Sequence, residues 1–179
     1  GPIIRGQLAR RSGSAEPQWD RVVLSPLVND QVLGALDQPD AKGALVTPPL
    51  TADHLIRTRS LPLWFDAPAW DDLARFKDAF QAAVQAYSAA YESYLARHRS
   101  TLQSGLETFA PLPRVVLLPG VGAICAGRDE QAAAISRDIT AQTLQVKLAI
   151  AAIGAYEGLS ERQLFEMEYR GLQHAKLAP

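Results

Sequence analysis

The chain has 179 residues, 47% hydrophobic and 21% charged, enough to bury one full core and too few for two equal domains. Eighteen basic against nineteen acidic side chains leave a formal charge of −1, so the basic footprint of a nucleic-acid or anionic-membrane binder is missing and neither partner is expected. The single cysteine, Cys125, excludes an intramolecular disulfide and thiolate metal clusters. With no apolar run near the ~20 residues of a membrane span and no signal-like leader, a cytoplasmic location is expected.

Gly1-Pro2, in a chain whose only methionine is Met167, reads as the scar of a cleaved tag. Residues 1–20 are expected to be that scar and a partly mobile arm, with the basic, then small and polar run RGQLARRSGSAEPQ over Arg5–Gln18. Residues 21–179 are expected to form a single α/β domain. Arg21–Ser25 (RVVLS) reads as a strand, and Asn29 is placed to cap a helix over Asp30–Leu36 that Pro39 helps to stop. Ala44–Thr47 reads as a second strand. Pro48-Pro49 forces an extended entry, Thr51 can cap a helix through ADHLIRTR, and Leu61–Asp66 becomes strand-like again.

From Asp71 to Arg99 the residues Leu73, Phe76, Phe80, Val84, Tyr87, Tyr91, Tyr94 and His98 recur at spacings of three and four, which predicts a long helix with one apolar stripe. Its length suggests a spine that packs against more than one neighbour or against a partner chain; its aromatic face favours an interface between chains, with Phe80, Tyr87, Tyr91 and Tyr94 as contact residues, and the stripe as the domain's own core is the other reading. Ser100–Pro113 reads as a loop. Val115–Leu118 and Ala123–Ala126 flank Pro119-Gly120, the pairing of a type II turn, and so predict a hairpin. Asp129 can cap the next helix, whose expected stripe is Ile135, Ile139, Thr143, Val146, Ile150 and Ile153. Ser160 and Gln163 have capping-box spacing for a last helix over residues 161–176.

Little chemistry can be assembled from these elements. Gly120-Val121-Gly122 follows an apolar strand, yet the third glycine of a dinucleotide fingerprint would fall at Cys125, and there is no Gly-Lys-Ser/Thr for a P-loop. His54, His98 and His174 are too scattered to suggest a zinc site. The suggestive polar cluster is TADHLIRTR. His54, Arg57 and Thr58 lie within a turn of one another and Arg59 extends the positive edge, so these four residues are candidates to hold a phosphate or carboxylate; surface ion pairs are the other reading. Glu166, Glu168, Tyr169 and Arg170 form a second cluster, expected to fix the last helix.

The segments PRVVLLPGVGAICAGRDEQAA, YEGLSERQLFEMEYRGLQHAKL and TADHLIRTRSLPL together resemble the bifunctional class II aldolase/short-chain dehydrogenase proteins of the rhamnulose-1-phosphate aldolase/lactaldehyde dehydrogenase kind. The resemblance spans nearly the whole chain and implies the middle region of such a polypeptide in carbohydrate (rhamnose) metabolism, after a zinc aldolase domain and before a Rossmann dehydrogenase domain. It implies a small mixed sheet flanked by long helices, part of a class II aldolase/adducin-type fold, with residues 114–155 as an aldolase-like closing segment and residues 161–176 as a C-terminal helical arm. Where that aldolase fold carries an Asn-His-Gly with a zinc histidine, this chain has Gly120-Val121-Gly122, and the His-x-His pair and catalytic acid are absent from matching positions. The implied function is a non-catalytic linking and oligomerisation domain, with no cofactor in this segment, the parent's aldolase and dehydrogenase domains as partners, and a homo-oligomer. Two other readings stand beside it: a ligand-binding domain for a phosphorylated or carboxylated sugar-derived molecule, and a class II metal-dependent aldolase, which needs ligands the chain does not show.

Overall fold

The computed structural model describes residues 1–12, 18–67 and 71–176. In chain order the elements are α1 (Pro2–Leu8), β1 (Arg10–Ser12), β2 (Gln18–Asp20), β3 (Val23–Leu27), α2 (Asp30–Leu36), α3 (Ala41–Leu45), α4 (Ala52–Thr58), β4 (Leu63–Trp64) and α5 (Leu73–His98). After a 3₁₀ turn at Arg99–Thr101 come β5 (Val115–Leu118), β6 (Gly122–Gly127), α6 (Glu130–Ala151), α7 (Glu161–Glu168) and α8 (Gly171–Ala175). β1 and β2 form a small antiparallel pair; the central sheet has the order β3-β6-β5-β4, antiparallel except for the β4–β5 edge.

The β5–β6 hairpin organises the molecule because its residues alternate between two apolar layers. Val115, Leu117, Ala123 and Cys125 face a core closed by α2, α3 and α6, through Val32, Leu36, Leu45 and Leu144 among others. Val116, Leu118, Ile124 and Ala126 face the other core, filled by α1 and α5 through Ile4, Leu8, Phe76, Phe80 and Val84. Phe80 is fully buried and meets Phe65 edge-on at 5.1 Å between ring centroids. The turn is of type II as its sequence implies: Val121 N–H donates to Leu118 O at 3.0 Å, and Gly120 supplies the positive φ of 71°.

Several caps follow the sequence. Asn29 Oδ1 accepts from Val32 N–H at 2.9 Å, Thr51 Oγ1 from His54 N–H at 3.2 Å and Asp129 Oδ1 from Ala132 N–H at 2.7 Å, and the capping box at Ser160 and Gln163 is complete.

Other parts differ from the sequence reading. Part of the expected arm, Pro2–Leu8, is helix α1, with Ile4 and Leu8 buried against α5; residues 13–17 of that arm lie outside the described residues. The Ala44–Thr47 strand is not there: Ala41–Leu45 is helical, since Ala41 and Leu45, four apart, both bury in the α6-side core. The last helix divides into α7 and α8 at Tyr169-Arg170, because Tyr169 is drawn inward to bond Tyr91. On α6 the buried line is Ala133, Ser136, Thr140, Leu144 and Lys147, while Ile135, Ile139, Thr143, Val146 and Ile150 sit half-buried on the flank and Ile153 is 89% exposed. The cause is close approach. A Cβ at Gly127 would collide with the backbone of Ala132 and Ala133, so the helix meets the strand through small residues and the isoleucines are turned aside.

Candidate functional site

The TADHLIRTR helix delivers two of its four candidate residues to one place. Arg57 and Arg59 line a cavity of about 290 Å3 between the C-terminal end of α4, the open end of the β5–β6 hairpin and the first turn of α6. Thr58 does not reach it: its hydroxyl donates to His54 O at 2.8 Å, and the residue lines a separate cavity of about 30 Å3. His54 does not line the 290 Å3 cavity either. Its Nδ1 is buried without a hydrogen-bond partner, and burial holds the imidazole below its usual pKa.

Among the described residues three further cations line the larger cavity, Arg114, Arg128 and Lys176, and no carboxylate does. The sequence reading missed these three, although two were legible. Arg114 immediately precedes β5 and Arg128 immediately follows β6, so an antiparallel hairpin must bring both to the same end. Lys176 arrives from the far end of the chain and pairs with Asp53 on α4, holding the Asp53 carboxyl below its usual pKa. Arg128 Nε lies 3.2 Å from Asp129 Oδ2. Arg57 and Arg114 have no ion pair among the described residues. Burial, and then the charge of Arg59, push Arg114 down to about 10.

Arg59 is the most constrained of the five. It ends α4 at φ 72° and ψ 173°, a region that costs a non-glycine residue about 1–3 kcal/mol and persists only where the surroundings impose it. Its side chain is 3% exposed. The guanidinium lies 4.1 Å over the Phe109 ring and its Nη1 is 4.0 Å from Glu168 Oε1, while its Nε has no hydrogen-bond partner among the described residues.

Glu168 holds the other side of this arrangement. It is fully buried and accepts from Tyr91 at 2.9 Å and Tyr94 at 3.1 Å, and the Tyr91 and Tyr169 hydroxyls are 2.8 Å apart. Burial raises its pKa, and Arg59 and the two tyrosines oppose the shift. Of its sequence neighbours, Tyr169 is buried with it, whereas Glu166 and Arg170 are exposed.

The expected interface residues are largely spent inside the chain. Phe80, Tyr91 and Tyr94 are buried, Phe80 in the α5-side core and the two tyrosines in a third cluster with Phe165 and Tyr169. Only Tyr87 is half-buried, with its hydroxyl donating to Leu61 O at 3.0 Å. The tyrosine face does border an apolar groove of about 620 Å3, walled by Trp64, Leu61 and Leu164 and rimmed by Arg97 and Glu161.

At the opposite end of the hairpin from the basic cavity, Val121 packs half-buried against the α5-side core. Among the described residues no three His, Cys, Asp or Glu side chains come together to hold a metal ion, and no helix is long and apolar enough to cross a membrane. Cys125 is buried, and burial pushes its thiol up to about 11, which leaves it a packing residue.

Comparison with known proteins gives three findings. The family described as aldolase class II, second domain, matches residues 1–177. The uncharacterized oxidoreductase YuxG of Bacillus subtilis (strain 168) is 26% identical over 177 residues, which are 98% of this chain and 24% of that protein; the chain thus spans about a quarter of its relative's length. The crystal structure of YgbL from Escherichia coli, proposed to be an aldolase/epimerase/decarboxylase, superposes with a TM-score of 0.50 over 81% of this chain and 56% of that one, at 14% identity.

Proposed function

Because the chain belongs to the family of class II aldolase second domains, we propose that it is a non-catalytic, aldolase-like linking domain of a longer polypeptide that joins a sugar-phosphate aldolase to an NAD-dependent dehydrogenase. The observation that carries this reading is the β5–β6 turn. Val121 stands there in apolar packing, at the position where the resemblance expects a zinc histidine, and a valine side chain has no lone pair for a metal. The name of the oxidoreductase relative and the quarter of its length that the chain spans support a place beside other domains.

In this reading the chain carries neither zinc nor NAD. Its role is to position the parent's aldolase and dehydrogenase domains, with a rhamnulose-1-phosphate aldolase/lactaldehyde dehydrogenase as the parent we favour. The test is elemental analysis and aldol-cleavage assay of the purified chain, in parallel with the longer polypeptide carrying Val121→Asp. The chain alone is expected to show no stoichiometric zinc and no cleavage, and the variant polypeptide to keep its zinc. Stoichiometric zinc in the chain, or a change in the metal content of the variant polypeptide, would overturn the proposal.

A further inference from the structure

We infer that the cavity between α4, the open end of the β5–β6 hairpin and α6 is a binding site for the phosphate group of a small phosphorylated molecule. Among the described residues five cations line it and no carboxylate does. Two of them, Arg57 and Arg114, make no ion pair among the described residues, and Arg57 feels Asp53 only through space. Arg59, Arg128 and Lys176 each have a carboxylate beside them, Glu168, Asp129 and Asp53; Arg57 and Arg114 add like charge to the same partly desolvated space, and an entering anion would relieve that repulsion. Burial first, and then the neighbouring charge of Arg59, depress the Arg114 pKa.

Arg59 is the second, independent sign. An arginine that is 3% exposed ordinarily finds acceptors for its fork, yet here Nε is buried without one and the side chain lines the cavity. Phe109 lies flat beneath the guanidinium and Glu168 holds one end of it, which fixes its direction before any ligand arrives. The pre-set fork suits the paired oxygens of a phosphate.

Size and charge select the ligand class. About 290 Å3 lies at the lower end of small-molecule pockets, room for a phosphate monoester with a short carbon chain and not for a polymer. A phosphate monoester carries about two negative charges and three acceptor oxygens, a better match than a monocarboxylate for Arg57 and Arg114, which have no ion pair among the described residues, together with the pre-set fork of Arg59. The site lies at the opposite end of the hairpin from Val121, and so does not depend on the linking role proposed above.

The test is isothermal titration of the purified chain with inorganic phosphate and pyrophosphate at constant ionic strength, with acetate and heparin as comparison arms. Saturable phosphate or pyrophosphate binding in the millimolar range or tighter is expected. Arg57→Gln and Arg114→Gln, each with its fold checked by circular dichroism, should weaken it roughly tenfold or more, and Arg162→Gln on α7 should leave it unchanged. Arg57 is half-buried and without an ion pair, so its replacement keeps the test usable if Arg114→Gln does not fold. Absence of saturation, equal binding by Arg57→Gln and wild type, acetate binding as tight as phosphate, or heparin binding that phosphate does not compete would each overturn the inference.

Discussion

At the scale of single residues, two buried charges offer predictions of opposite kind. Lys147 is 2% exposed and donates to Thr47 O at 2.8 Å and to Leu45 O at 3.3 Å. Burial lowers its pKa from 10.5 to about 8. Between those values the unfolded chain binds the proton that the folded chain has released, so this group's contribution to stability rises with pH through the window and is at its lowest below about 8. The gain is on the order of 2–3 kcal/mol. Cys125 and the buried tyrosines, whose pKa values are raised, act in the reverse sense on the alkaline side. The difference in urea unfolding between wild type and Lys147→Met isolates the lysine, and that difference should move in favour of the wild type as pH rises. Glu168 is a hub whose loss strands Arg59: Glu168→Ala is expected to cost about 3–5 kcal/mol by equilibrium unfolding, and Glu168→Gln, which keeps acceptors for the tyrosines, distinctly less.

At the scale of elements, legibility followed from how local the cause was. The caps of α2, α4, α6 and α7 and the type II turn depend on side chains within a few residues of the backbone they serve, so their sequence signatures suffice. Thr51→Ala, which removes the α4 cap, should cost about 1 kcal/mol by thermal unfolding. The line along α6 was not legible in that way. A periodic row of isoleucines marks an apolar face, but which face docks is decided by the clearance at Gly127 and the small residues of β6. Only two of the five cations of the basic cavity were visible for a similar reason. Arg57 and Arg59 form one local cluster; Arg114 and Arg128 required the hairpin to be used as a geometric statement, and Lys176 required the fold itself. The tiny α3 and the division between α7 and α8 are set by Leu45 and Tyr169 finding distant pockets, information that no short window holds.

For the whole molecule, the aromatic stripe of α5 follows the core reading of the helix rather than the interface reading. A long helix with five buried side chains, Phe76, Phe80, Val84, Tyr91 and Tyr94, works as the spine of its own chain, touching the sheet through its first half and α7 through its second. Phe80→Ala should therefore remove about 3–5 kcal/mol of stability and show as a lowered urea midpoint. An interface residue would instead give a stable folded chain of smaller assembly size in light scattering.

The segment between α6 and α7 ties these observations together. Residues 151–155 and 157–160 are exposed, and between them Tyr156 is half-buried with its hydroxyl on Pro49 O at 3.1 Å. Everything beyond it supplies the counter-charge of Arg59, the partner of Asp53 and the bonds of Tyr91. A single protease cut at this point would leave two fragments each with part of the polar centre, and the cleaved chain should stay together in native gel filtration yet come apart in mild urea well before the uncut chain unfolds. The tail is then less an appendage than a latch, and the cavity's electrostatics depend on its being shut.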